Sequence, residues 1–329
     1  RRWAALCRQS ASRRRLRRVR GALAGFFTIG AIVVTGVLLA HFKVLGDLHR
    51  ALLNRLAFLV ASPALIFSLT SRADLAHLFS HTLTVSVLAI VVAATVYLVA
   101  SRALIGPFNA RTVIGTLSAS YTNAGNLGLP IAAAIMGDMT WMVPIMLVQV
   151  GLMQPAALAV LDTRNARRAG EALAWHSYLT LPLRNPIITA VVGGVALNLS
   201  GFALPEVVMA PIEMVGAIAV PAMLLAFGIS LRLDPLPGRG RHAPQVWLIQ
   251  VIKMVLQPLV AWALGAFVFG LAGPELLAVT IVAALPAAQN IYVIASRYQV
   301  GELLARDSIF WSTLLSVPSI TLIAYLLGG

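Results

Sequence analysis

SASYTNAGNLGLPIAAAIMGD, running from Ser118 to Asp138, is apolar at both ends and polar in the middle. Its centre holds Asn123 and Asn126 together with Gly125 and Gly128, and Pro130 follows. Amides and helix-breaking residues are expensive inside a bilayer, because no water is there to satisfy freed N–H and C=O groups. The chain around this stretch nevertheless calls for a bilayer.

Of its 329 residues 59% are hydrophobic and 11% charged, with a mean hydropathy of +0.88. A soluble chain of ordinary composition carries roughly a quarter charged residues. That deficit leaves more apolar surface than one core can hide, so lipid is the natural solvent. Windows of about 19 residues mark spans at 22–40, 51–70, 82–101, 112–136, 141–161, 185–204, 207–231, 246–270, 275–296 and 308–327. The expected protein is all-α and polytopic, with ten transmembrane helices in the cell (inner) membrane. Only Arg55, Glu213 and Lys253 set a formal charge well inside a span.

Basic residues in loops orient such a chain. With the amino terminus outside, the cytoplasmic loops and helix ends collect fourteen Lys and Arg between Lys43 and Arg306, whereas the opposite side beyond the first span keeps Arg72 alone. The first twenty residues oppose this, with nine arginines that should themselves stay inside. Five separate loops outweigh one tail. Segment 1–21 is therefore read as a basic extension outside the membrane pattern, its SRRRL a faint echo of a twin-arginine signal. A pI near 11.4 reflects these two features and not nucleic-acid binding.

Cys7 is the only cysteine, which rules out an intramolecular disulfide or a cysteine metal cluster. Asp74, His77 and His81 share a helical face near the outer surface, where a solvated loop end is the commoner outcome than a metal site. No nucleophile elbow, zinc-protease helix or phosphate loop occurs. An intramembrane enzyme would need paired carboxylates, a metal set or an activated nucleophile at depth, and none is visible. No cofactor is implied.

The chain repeats itself weakly. ASPALIF around Pro63 matches AVPAMLL around Pro221, and TNAGN ending at Asn126 matches PAAQN ending at Asn290, offsets of 158 and 164 residues. Two units of five spans, 22–161 and 185–329, joined by the loop 162–184, lie in opposite orientations because five is odd. Inverted repeats with interrupted helices at corresponding positions are the plan of secondary transporters. The costly stretch then makes sense. Backbone can leave the helical ladder at membrane depth where it lines a cavity, and the N–H groups opening the second half-helix form an anion site.

NAGNLGLP at 123–130, LPAAQNIYVIASRYQ at 285–299 and NPIITAVVGGVALNL at 185–199 resemble the auxin efflux carrier family, from about residue 22 to the end. The resemblance implies a fold like the bile-acid symporters: spans one, two, six and seven form a scaffold, and the other six a transport domain. Spans four and nine are implied to cross at their breaks and to hold a substrate carboxylate, with Asn123 the foremost side-chain contact. Gly125, Asn126, Gly128 and Pro130 accompany it, facing Pro286, Gln289 and Asn290. The partners implied are a small organic anion and the lipid bilayer; a homodimer through the scaffold helices is one assembly this allows. The basic tail has no place in the family pattern, and loop 162–184 is far shorter than that of the long plant members.

The implied activity is efflux of small carboxylates by an elevator-type, alternating-access carrier. Proton- or sodium-coupled uptake is the alternative, and a channel is disfavoured by the paired breaks. No Asp or Glu lies at either break to bind a coupling ion. At about 100 mV, inside negative, outward movement of a monoanion gains roughly 2.3 kcal/mol. Lys253 is an intramembrane charge of possible function or a snorkelling side chain. Glu213 enters its span from the opposite face, too far to pair with Lys253.

Overall fold

A computed structural model describes residues 27–72, 80–168 and 185–328. The basic tail, Cys7, Asp74, His77 and most of the loop 162–184 lie outside the described residues. Twelve helical segments carry the description: α1 Phe27–His41, α2 Asp47–Ser71, α3 His81–Leu104, α4 Ala110–Ser120, α5 Leu129–Ile135, α6 Pro144–Ala166, α7 Pro186–Leu199, α8 Glu206–Leu233, α9 Ala243–Val268, α10 Gly273–Ala284, α11 Asn290–Tyr298 and α12 Glu302–Leu327.

Among the described residues, six of these are long and apolar enough to cross a membrane alone: α2, α3, α6, α8, α9 and α12. The expected fourth span is divided into α4 and α5, and the ninth into α10 and α11. With 11 residues, α4 rises about 16 Å, half of a bilayer core, so only a pair of half-helices could traverse it. Over their described residues, α1 and α7 are two further, shorter apolar helices.

Prolines shape the long helices. Residues 63, 130, 155 and 258 are all prolines. Each lies two residues after a widened turn of five residues: Ala57–Ala61, Ala124–Gly128, Gln149–Met153 and Ile252–Leu256. Proline lacks an N–H, and its ring presses on the carbonyl four residues back. The turn relaxes by passing one hydrogen bond to the fifth residue back, as from Gln257 N–H to Ile252 O. In α8 the solution differs: Glu206–Gly216 ends before Pro221, and Ala219–Leu233 resumes the course.

The helices pack in two groups. α2 lies against α7 and α8. α1 joins them where Gly36 meets Gly228, so closely that a Cβ on Gly228 would stand 2.1 Å from Val33 O. The second group has α3 against α4, α9 and α10, with α12 packed on α9 and α10. The groups are stitched together at one end by charge. Arg306, read from the sequence as a loop cation, instead stands in the second turn of α12 and is 1% exposed. It donates to Asp307 Oδ1 and to Pro235 O, both bonds 2.7 Å. Asp234 meets Arg50 of α2 at 2.8 Å and Arg306 at 3.6 Å. A charge-seeking window ends a span at such a residue, yet an adjacent carboxylate lets the helix start earlier.

Candidate functional site

The first break is built from local chemistry. α4 stops at Ser120, and Tyr121 turns extended at ψ 126°. Asn123 then caps the next turn: its Oδ1 accepts from Asn126 N at 3.2 Å, and its carbonyl accepts from Gly128 N at 2.9 Å. Asn is favoured for this task because its short side chain replaces a missing backbone acceptor. The second break follows α10, where Leu285 is extended and Pro286 removes a donor. α11 restarts at Asn290.

The extended segments cross antiparallel. Thr122 bridges Ala287, and Asn123 N donates to Pro286 O at 2.8 Å. Two side chains also reach the backbone of the crossing. Ala287 N donates to Ser312 Oγ at 3.1 Å. Gln149 of α6, in the orientation that satisfies both groups, donates to Thr122 O and accepts from Thr122 N, each at 2.9 Å. Unpaired backbone at this depth would cost several kcal/mol per group. Gln149 therefore acts as a short mimic of a missing strand.

On one side of the crossing is a cavity of about 100 Å³, lined by the break residues, by Ser62 and Ile66 of α2, by Val220 and Met223 of α8, and by Gln149 and Gln154 of α6. It therefore lies between the two helix groups. Its polar lining is linked by amides: Asn123 Nδ2 donates to Gln289 Oε1 at 2.7 Å, and Asn126 Nδ2 approaches the same oxygen at 3.4 Å. Asn290 Nδ2 donates to Tyr121 Oη and Gln154 Oε1, both at 3.1 Å. Asn290 Oδ1 is buried without a partner among the described residues, while the two bonds of Nδ2 fix the amide's orientation. None of the lining residues carries a formal charge.

The residues expected at the crossing fall into distinct places. Asn123, Gly125, Asn126, Gln289 and Asn290 line the cavity. Gly128 is packed behind it, where a Cβ would stand 3.0 Å from Leu285 Cδ1 and from Met142 Sδ. Pro130 stands in the first turn of α5, and buried Pro286 supplies the carbonyl of the crossing bond. Tyr121, Thr122, Gln149 and Gln154 were not singled out from the sequence. The two glutamines, in LVQVGLMQP, are amides in an apolar span next to a proline, and that was a usable signal.

Two of the three charges expected inside spans, Glu213 and Lys253, separate. Glu213 is brought to Arg72, which donates to it, and to Ser68 Oγ at 3.2 Å. Its side chain is 37% exposed, and it does not reach the crossing. Lys253 is wholly buried and stands behind the crossing, away from the cavity lining.

A family model described as membrane transport protein matches residues 26–324. A protein of Rhizobium meliloti (strain 1021), named "Putative malonate transporter", is 28% identical over 288 residues, covering 84% of this chain and 86% of that one. A protein of Methanothermobacter thermautotrophicus, named "Uncharacterized transporter", is 27% identical over 308 residues, covering 92% and 97%.

Proposed function

The chain belongs to the membrane transport protein family, that of the auxin efflux carriers, and from this premise we propose that it exports small carboxylates by alternating access. Membrane transport is the family's activity, which sets the chain apart from enzymes. The observation that carries the finer reading is the neutral, amide-lined cavity between the two helix groups, opened by two half-helix starts. Half-helix N-termini aim unsatisfied N–H groups and a partial positive charge at an anion. The side-chain amides of Asn123 and Asn290 bring further donors to the same cavity.

In this reading ten membrane-crossing segments form two inverted units, 22–161 and 185–329, with α4–α5 and α10–α11 each serving as one broken crossing helix. The group containing α1, α2, α7 and α8 is the scaffold. The rest moves as an elevator past it, with the cavity at the sliding face.

Size narrows the substrate. A cavity of about 150 Å³ takes benzene, so one of about 100 Å³ suits an acid of three or four carbons better than an indole. The malonate in a relative's name agrees with that class. Purified protein in proteoliposomes, tested for counterflow with malonate, malate and indole-acetate, should move the two short acids with saturation. An imposed potential should change net efflux strongly, and an imposed pH gradient should not. Non-saturable flux would indicate a channel, and preference for indole-acetate would overturn the size argument.

A further inference from the structure

Lys253 sits on the Ile252–Leu256 widened turn of α9, 0% exposed. It stands about 15 Å along the helix from Ala243 by helical rise. A snorkelling lysine points its ammonium toward an interface. This one points inward. Its Nζ donates to Gln257 Oε1 at 2.8 Å and approaches Ala283 O at 3.5 Å, while Gln257 Nε2 donates to Ser120 O at 3.2 Å. Ser120 is the last residue of α4, and Ala283 is next to last in α10.

Both carbonyls therefore belong to final helical turns, whose C=O groups have no donor within the helix. Each such end carries about half a negative charge. Two ends converge here, and one ammonium offsets them. In carriers built with broken helices, half-helix C-terminal ends and unwound carbonyls coordinate sodium or protons. We propose that Lys253 is a tethered counter-ion. Relayed by Gln257, its ammonium fills the place at the half-helix C-ends that a coupling cation would otherwise occupy.

This rests on the transport reading and adds a charge rule to it. The crossing of the empty carrier holds one formal positive charge, and loading a dianion leaves it at net minus one in place of minus two. Sodium becomes unnecessary, and part of the voltage dependence moves from the loaded step to the empty return. One charge crossing 100 mV biases an equilibrium about 50-fold and, shared between forward and reverse barriers, a rate by about sevenfold.

The test uses the full chain in proteoliposomes, with malonate exchange measured at 0 and −100 mV in sodium or choline buffer. The variants are Lys253→Met, which keeps the stem's volume, and Lys253→Ala, which opens a space. Melting is followed on the same samples in choline, sodium and ethylammonium chloride. Wild type should exchange and melt alike in sodium and choline. Lys253→Met should keep some exchange, with voltage dependence steeper by up to about sevenfold per 100 mV. Lys253→Ala should melt lower in choline and recover by several degrees in ethylammonium, which wild type should not feel. Sodium-dependent wild-type exchange or melting would overturn the proposal, as would unchanged voltage dependence in Lys253→Met. If wild type moves no malonate, the substrate reading fails on its own, and the melting comparison still decides. Absence of ethylammonium recovery would then reject the counter-ion.

Discussion

The crossing has two faces made from the same four helix ends, and they solve opposite problems. On the front, α5 and α11 begin, and the lining is neutral amide around a cavity. On the back, α4 and α10 end, carbonyls point out, and a lysine closes the space with its Gln257 partner. The polarity of the helix dipole dictates the difference. A positive end left open invites a mobile anion. A negative end closed by a tethered cation invites nothing.

The sharpest way to break this contrast is to move a negative charge from one face to the other. Asn123→Asp or Asn290→Asp keeps side-chain size and sets a carboxylate against the anion. At 4–6 Å and an effective dielectric near 20, the repulsion is roughly 3–4 kcal/mol, a few hundredfold in affinity. A protonated Asp would soften this, so the loss should grow with pH. Gln257→Glu makes the same change behind the crossing, beside Lys253, and should leave affinity within a few fold. Binding and melting on the same purified samples decide. Normal affinity in both Asp variants would reject the front face as the anion site, and their instability with normal affinity would reduce the amides to helix glue.

Next in size is the seam holding the faces together. Gln149→Leu deletes the side chain that pairs with Thr122 N and O. Leaving a buried polar group unpaired costs about 1–3 kcal/mol. Melting should fall by several degrees, and substrate affinity should fall with it because Thr122 positions Asn123. Unchanged melting would mean that the crossing strands hold themselves.

Gly128→Ala is gentler. Its new Cβ meets Leu285 Cδ1 and Met142 Sδ at 3.0 Å, both ends of flexible side chains, with Asn123 O at 3.3 Å. Overpacking of this kind costs about 1 kcal/mol when neighbours can yield. Transport should slow moderately with the fold kept. Gly125→Ala, whose Cβ meets only Met146 Cε at 3.6 Å, should be milder still.

Much of this was legible in the sequence because breaking a membrane helix takes conspicuous residues. Asn123, Gly125, Asn126 and the prolines stand out against an apolar background, and the structure brings TNAGN and PAAQN together. Less legible was which distant side chains finish the job. Gln149 and Gln154 lie on another helix, and nothing in a one-dimensional pattern says that α6 turns them toward Thr122 and Asn290. Hydropathy also misplaced Arg306, because a window counts charges and cannot see that Asp307 and Pro235 O neutralise this one. Nor does it mark where one span becomes two half-helices, since α10 and α11 are as apolar together as a continuous helix.

The smallest effect separates two charges that the sequence set side by side. Glu213 and Lys253 both fall inside apolar runs, and a count of intramembrane charges treats them alike. Their surroundings do not. The carboxylate of Glu213 is 37% exposed and faces Arg72, itself half exposed, with Ser68 as a second partner. Pairs as exposed as this contribute about 0–1 kcal/mol, because water or headgroups replace the partner when it leaves. Glu213→Gln keeps the hydrogen bond from Ser68 available and removes only the charge. It should shift melting by a degree or two and leave malonate affinity and voltage dependence at wild-type values. Lys253→Met, of similar conservatism, should change voltage dependence by up to about sevenfold per 100 mV. A large transport defect in Glu213→Gln would show that the α2–α8 end takes part in the cycle, and the function proposed for the crossing alone would have to be shared with it.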